Sequence, residues 1–246
     1  MRILVINPNT TASMTEKIAA SARRIASPGV EIVARNPTHG PASIEGYYDE
    51  AMCLQGVMDI IHGTPAFDAV VIACFDDTGL DAARCLTDRP VVGIGEAGFH
   101  MASMISNKFS VVTTLARSVP ALEHNLHRYG LWARCARVRS SGVAVLELED
   151  PASDASARIN EQIRLAITED HAEAIVLGCA GMTDLTDRLT AQHGLPVLDG
   201  VSCAVTLCEA MARLGLRNSP VGGYAPVPAA KLPNRPVADT ARIGRG

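Results

Sequence analysis

The chain has 246 residues, close to half of them apolar, and a net charge of −4. That is room for one large domain or two of about 100–120 residues each, with a mixed-charge surface that has no basic excess to draw nucleic acid or anionic lipid. The opening apolar run Met1–Ile6 stops at Asn7-Pro8, too short for a signal peptide, and no apolar run approaches the roughly 20 residues of a membrane span, so a cytoplasmic protein with no membrane partner is expected.

Taken in chain order, short β-branched runs alternate with helical patterns. The expected strands are Ile3–Ile6, Glu31–Ala34, Ala69–Ala73, Val91–Ile94, Phe109–Thr113, Ala144–Leu148, Ala174–Leu177 and Pro196–Leu198. Between them, apolar residues recur at helical spacing: Met14, Ile18, Ala22 and Ile25; Ile159, Ile163, Ala166 and Ile167; Ala204, Leu207, Cys208, Met211 and Ala212. Strands alternating with helices predict an α/β fold of parallel sheets covered on both faces. From Arg217 onward the chain is rich in Pro and Gly, which predicts a surface tail, partly disordered.

An internal repeat organises these elements. Ala69-Val-Val-Ile-Ala-Cys74 matches Ala174-Ile-Val-Leu-Gly-Cys179, each a strand that ends one small residue before a cysteine. The two cysteines are 105 residues apart, and Pro90 and Pro196, which open the next strands, are 106 apart. Asn7 and Thr113, at the ends of the opening strands, are again 106 apart. Three landmarks at one period predict two similar α/β halves.

In open α/β sheets, ligands bind beyond the carboxyl ends of the strands. Cys74 and Cys179 both sit there, each before a predicted helix start for which Thr78 and Thr183 read as caps. If the halves face one cleft, the thiols approach a ligand from opposite sides. That suits racemisation, in which one group removes a proton from one face of a carbon and another returns a proton to the opposite face. Cysteine can fill both roles, since its ordinary pKa of about 8.5 lies near neutrality, and a helix N-terminus favours its thiolate. A lone cysteine after a strand is more often core, and Cys53, Cys85, Cys135, Cys203 and Cys208 are read that way, having no matched partner.

Other patterns carry less. Gly93-Ile-Gly-Glu-Ala-Gly98 has dinucleotide-site spacing, but the next strand ends Thr113-Thr114 without the acidic residue such a site needs, so a tight turn into a helix at Glu96–Ser106 is expected. His124 and His127 share a helix face with Glu123, yet nothing nearby completes a metal set. His100 is placed near the cleft. Asn7-Pro8-Asn9-Thr10-Thr11, with Thr113-Thr114 as its counterpart, makes a cradle for a carboxylate or ureide as well as a helix start. Ala73, Gly178 and Gly181 are small enough for a ligand to approach the backbone beside the cysteines.

Several of these runs together resemble the hydantoin racemase family, which includes allantoin racemases and belongs to the aspartate/glutamate racemase superfamily. They are Ile6-Asn-Pro-Asn-Thr-Thr11, Ser43-Ile-Glu-Gly46 followed by Tyr48-Asp-Glu50, Val71-Ile-Ala-Cys-Phe75, Gly93-Ile-Gly-Glu-Ala97, Phe109-Ser-Val-Val-Thr-Thr114 and Ile175-Val-Leu-Gly-Cys-Ala-Gly-Met182, and the resemblance spans residues 1 to about 215. It implies two pseudo-symmetric α/β domains, residues 1–97 with 203–246 and residues 98–202, the helix at Ser202–Leu214 crossing back to complete the first, with the active site between them, no metal, no cofactor and a homo-oligomer. It also implies catalytic roles for Cys74 and Cys179, and a small-molecule substrate held by Asn9, Ile44, Phe75, Thr113, Thr114, Ala180 and Gly181. The run after the first cysteine, Asp76-Asp77-Thr78-Gly79, departs from the family's usual Asp-Pro-Gly.

The expected reaction is racemisation at C5 of a 5-substituted hydantoin or of allantoin. An aspartate or glutamate racemase, a maleate isomerase or a malonate decarboxylase of the same superfamily are alternatives. The decarboxylases keep one of the two cysteines, and no Arg or Lys stands at the predicted strand ends to hold an amino acid's carboxylates. A non-catalytic small-molecule sensor on this fold is the remaining alternative.

Overall fold

The computed structural model describes residues 1–150 and 152–232. Sixteen regular elements are laid out as two copies of one plan. The first copy is β1 (Arg2–Ile6), α1 (Ala12–Ile25), β2 (Glu31–Arg35), α2 (Tyr47–Gly63), β3 (Ala69–Ile72), α3 (Leu80–Arg84), β4 (Val91–Gly93) and α4 (Ile94–Ile105). The second is β5 (Phe109–Thr113), α5 (Val119–Arg128), β6 (Cys135–Ser140), α6 (Ala155–Thr168), β7 (Ala174–Gly178), α7 (Thr186–His193), β8 (Val197–Asp199) and α8 (Gly200–Arg213). The sheets have the parallel orders β2-β1-β3-β4 and β6-β5-β7-β8, so the strand that precedes each cysteine occupies the same central place. The repeat read from three landmarks is therefore a repeat of topology.

Central strands such as Ile3–Ile6, Val70–Ile72 and Ile175–Leu177 are fully buried. They read as unbroken apolar runs because helices cover both faces of each sheet. One core runs continuously through both halves, from Val5 and Met14 through Phe99 to Val176 and Val201. Separate clusters lie under the outer helices of each half. The helices that follow β4 and β8 make the join: α4 packs on β7 of the second sheet, and α8 packs on β3 and β4 of the first. Gly98 belongs to this contact, since a side chain there would reach Val176 Cγ1 at 2.9 Å.

One expected strand is misplaced. Residues 144–148 turn into the 3-10 segment Leu146–Glu149, and the edge strand is β6, Cys-Ala-Arg-Val-Arg-Ser. Its two arginines hid it from an apolar reading. Arg139 is buried beside β5 because Asp170 accepts from its Nε at 2.6 Å and from its Nη2 at 2.8 Å, so the charge is paired on two atoms. Helices α4 and α8 start two residues earlier than expected, directly at their strand ends, because carboxylates cap them there; for α8 this is Asp199, which accepts from Ser202 N–H at 2.8 Å. Ile25, counted on the inward face of α1, is exposed.

The tail from Arg217 to Leu232 crosses the surface of the first half, tied down by Asn218, whose amide donates to the carbonyls of Thr87 and Arg89 at 2.9 and 2.7 Å. The part of the expected tail beyond Leu232 lies outside the described residues. Among the described residues, no helix is long and apolar enough to cross a membrane, and all seven cysteines are free thiols.

Candidate active site

The carboxyl ends of the two sheets face one cleft of about 420 Å³, its open mouth included. Cys74 and Cys179 both line it, one from each half. Of the five other cysteines, Cys53, Cys135, Cys203 and Cys208 are buried elsewhere, and Cys85 bonds to the carbonyls of Asp81 and Gly223.

The two sulfurs have like surroundings. The backbone N–H two residues on, of Asp76 for Cys74 and of Gly181 for Cys179, favours each thiolate. The N–H groups at these loop ends thus serve the thiols themselves. The likeness stops four residues on. Thr78 was expected to cap a helix, but Gly79 holds the cap position of α3 in a left-handed conformation, and the Thr78 hydroxyl lies 3.4 Å from the Cys74 sulfur as its donor. Thr183, the second expected cap, sits inside the 3-10 segment Ala180–Leu185 and shares a buried 2.7 Å hydrogen bond with Ser21 of α1, across the two halves.

Burial pushes both thiols up, opposing the thiolate that a helix end alone favours. The push is unequal. Cys74 goes well above its ordinary value, with the neighbouring Asp76 carboxyl adding to burial. Cys179 goes up to about 11, with the Gly181 N–H and the more distant Lys17 charge pulling back. Cys179 is therefore the easier thiol to ionise.

The first-strand cradle is a closed network. Asn7 is buried and donates from Nδ2 to Asn9 Oδ1 at 2.8 Å and to Thr15 Oγ1 at 2.9 Å. Asn9 Oδ1 also accepts the Thr11 N–H at 2.9 Å. With its oxygen engaged twice, Asn9 keeps Nδ2 beside Met14 Sδ, on the cleft wall. Thr10 and Thr11 do not reach the cleft; their hydroxyls donate to the carbonyls of Pro41 and Ala42. On the second half, the Thr113 hydroxyl donates to the Gly178 carbonyl at 2.9 Å, which leaves it only lone pairs for a ligand. Ile44, Phe75, Thr114 and Ala180 line the cleft with Asn9 and Thr113. Gly181 does not; it lies behind the Cys179 sulfur, where a side chain would strike Leu148 Cδ1 at 2.9 Å.

The glycine-rich run has a different use from the turn expected of it. Asp77, one of the described non-glycine residues with positive φ (54°), turns its carboxylate onto the start of α4 and accepts from Gly95 and Glu96 N–H at 2.9 and 2.7 Å. The Tyr129 hydroxyl of the other half donates to it at 2.8 Å. A side chain at Gly93 would overlap that carboxylate, and one at Gly95 would overlap the Phe75 carbonyl. The glycines therefore admit the loop that follows Cys74. Burial raises Asp77 to about 7 even though it accepts these bonds.

Sequence reasoning missed four wall residues, Met14, Asp76, Ser118 and Val145. Met14 read as helix core and Val145 as strand; Asp76 and Ser118 lie in loops without periodicity. His100 was placed near the cleft, but its Nδ1 pairs with the Glu96 carbonyl at 2.8 Å and its ring lies beside Tyr129, away from the wall. His124 pairs with the Tyr47 hydroxyl and His127 stacks on Trp132. Among the described residues, no group of three or more His, Cys, Asp or Glu is placed to hold a metal, and no arginine or lysine lines the cleft.

Comparison with known proteins follows the same outline. Residues 3–208 match the family model described as Asp/Glu/Hydantoin racemase. The chain is 47% identical over 227 residues to a hydantoin racemase of Rhizobium meliloti, covering 92% of this chain and 94% of that one. An allantoin racemase structure from Klebsiella pneumoniae superposes with a TM-score of 0.93 at 44% identity, covering 96% of this chain and 97% of that one. One from Pseudomonas fluorescens gives 0.91 at 46% identity, covering 95% and 100%. A doubled sheet with a matched pair of cysteines, and a family match that runs from the first strand into the last helix, identify the chain as a member of the Asp/Glu/Hydantoin racemase family.

Proposed function

We propose that this protein is a cofactor-independent isomerase that racemises C5 of 5-substituted hydantoins, allantoin among them, by a two-base mechanism with Cys74 and Cys179. The C5–H of a hydantoin is flanked by a carbonyl and a ring nitrogen. One cysteine thiolate takes that proton, and the C–H electron pair moves into the C4–C5 bond to give an enolate. The other thiol gives its proton to the opposite face of C5, and its sulfur is left as the thiolate. The observation that best supports this reading is the matched pair of sulfurs on one cleft, each with the same backbone donor two residues on. Burial holds both sulfurs up, Cys179 to about 11, so both rest as thiols at neutral pH, and the reactive form is the small fraction in which one of them has lost its proton to solvent. Asn9 Nδ2 and the Thr114 hydroxyl are the side-chain donors available for the ring carbonyls and the developing enolate oxygen.

An amino-acid substrate fits less well, because its two carboxylates would meet no cationic side chain in the cleft and one carboxyl, Asp76. The test is C5 deuterium exchange and racemisation of enantiopure 5-alkyl hydantoins in heavy water, for the wild type, Cys74→Ser and Cys179→Ser. Each variant is expected to lose at least about 100-fold in racemisation. Full activity in both variants overturns the mechanism. Tight hydantoin binding without exchange in the wild type makes the protein a sensor.

A further inference from the structure

Asp76 stands in the cleft wall directly after Phe75, and its backbone is fixed at both ends. Its N–H serves the Cys74 sulfur, and its carbonyl accepts from Asn125 Nδ2 of the other half at 2.9 Å. Its carboxyl is hydrogen-bonded to that of Glu50 on α2. Glu50 Oε1 is sealed from solvent and has no partner. Two carboxyls in such a bond share one proton between them, so the pair carries one negative charge and presents acceptor lone pairs to a ligand. The other polar side chains of the wall, Asn7, Asn9, Thr113, Thr114 and Ser118, are neutral. Asn9 Oδ1 and the Thr113 hydroxyl are already engaged within the protein.

We propose that Asp76, backed by Glu50, is the specificity-determining residue of the cleft: it selects a C5 substituent that donates a hydrogen bond, such as a ureido or carboxamide group, and rejects an anionic one. An amide N–H donates to a free lone pair of the Asp76 carboxyl. A carboxylate substituent adds negative charge to a wall with no cation on it. An alkyl substituent leaves the desolvated pair without a ligand partner. Burial and the Glu50 charge hold Asp76 up to about 8, so the shared proton is retained at neutral pH. The inference rests on the racemase reading above.

Three near-isosteric substrates test it: hydantoins bearing carboxamidomethyl, carboxymethyl and isobutyl groups at C5. In the wild type, kcat/KM for the amide is expected to exceed that for the carboxylate by at least about tenfold, with the isobutyl compound between them. Asp76→Ala should lower the amide-to-isobutyl ratio about tenfold. Asp76→Asn, which keeps a donor and an acceptor but no charge, should preserve that ratio and raise the carboxylate-to-isobutyl ratio about tenfold. A wild type that treats amide and carboxylate alike overturns the inference without any variant having to fold. So does an Asp76→Ala enzyme whose amide-to-isobutyl ratio is unchanged. Failure of the wild type to racemise any of the three overturns the racemase reading itself, a separate result.

Discussion

Glu45 Oε1 accepts the backbone N–H of Val145 at 2.9 Å, across the mouth of the cleft. Glu45 belongs to the segment before α2 in the first half, and Val145 caps the 3-10 segment Leu146–Glu149 in the second. Their neighbours Ile44 and Val145 itself are buried and supply apolar wall to the cleft. One side chain thus ties together two segments that wall the cleft. Glu45→Ala removes the tie, while Glu45→Gln keeps an acceptor in the same place. The alanine variant is expected to raise KM for a 5-alkyl hydantoin about five- to tenfold, the equivalent of one hydrogen bond of about 1–1.5 kcal/mol, and the glutamine variant to restore most of it. Steady-state kinetics on the two variants reads this directly. Equal KM values in wild type and Glu45→Ala would mean that the tie does not shape the cleft.

The unequal ionisation of the two thiols predicts an order of chemical modification. Cys179 is held up to about 11 while Cys74 is driven further, and the thiolate is the nucleophile. Under limiting iodoacetamide, peptide mass spectrometry should find Cys179 carboxamidomethylated before Cys74. Replacing Lys17 by Met removes the charge that favours the Cys179 thiolate and should slow that labelling about two- to threefold. The buried thiols Cys53 and Cys208 should label only on unfolding. Faster labelling at Cys74 would reverse that order.

The doubled α/β plan and the paired cysteines were legible because both rest on strong signals. Central strands buried on both faces are unbroken apolar runs, and a repeat shows as a fixed offset between like residues. The edge strand β6 was not, because Arg137 and Arg139 interrupt its apolar pattern and its burial depends on Asp170, a partner 31 residues away from Arg139. The glycines of residues 93–98 were seen but their purpose was not. Asp77 reaches Gly95 across 18 positions of sequence, and no local pattern links a loop aspartate to the start of the next helix but one. Asp76 and Val145 escaped for the same reason: each enters the cleft through tertiary placement of an aperiodic loop.

Asp76 also predicts how stability responds to pH. Its folded value, about 8, lies above the roughly 3.9 of an unfolded aspartate. The folded protein therefore keeps a proton that the unfolded chain releases. The stabilisation this gives is fully present below about pH 4 and is lost progressively as pH rises through about 8, at up to about 1.4 kcal/mol per pH unit. Asp77, raised to about 7, adds a similar slope over a slightly lower range. Asp76→Asn removes one of the two contributions without removing the Asp77 cap of α4. Its melting temperature should fall less than that of the wild type as pH is raised from weakly acid to weakly alkaline. Parallel curves for the two proteins would show that Asp76 is ionised in the folded state at neutral pH.

The seats of α4 and α8 predict where the fold tolerates no added atom. A side chain at Gly95 would overlap the Phe75 carbonyl, and one at Gly200 would overlap the Ile94 carbonyl, so each glycine lets one backbone segment lie against another. Neither obstacle is a flexible side-chain end that can turn away. Adding a methyl group must displace backbone, which costs about 3 kcal/mol or more in a packed core. Gly95→Ala has a further effect, because the Phe75 carbonyl lies one residue from Cys74. Its displacement moves the loop that places the sulfur, so kcat should fall by more than the loss of folded protein accounts for. Gly200→Ala lies at the other seat, at the start of α8, and should lower the melting temperature with a smaller change in kcat of the folded fraction. Gly223, in open space on the tail, is the control: Gly223→Ala should stay within about 0.5 kcal/mol of the wild type. Thermal melts and kcat normalised to folded protein separate the three cases. Wild-type stability in Gly95→Ala would show that the Phe75 carbonyl does not seat against α4.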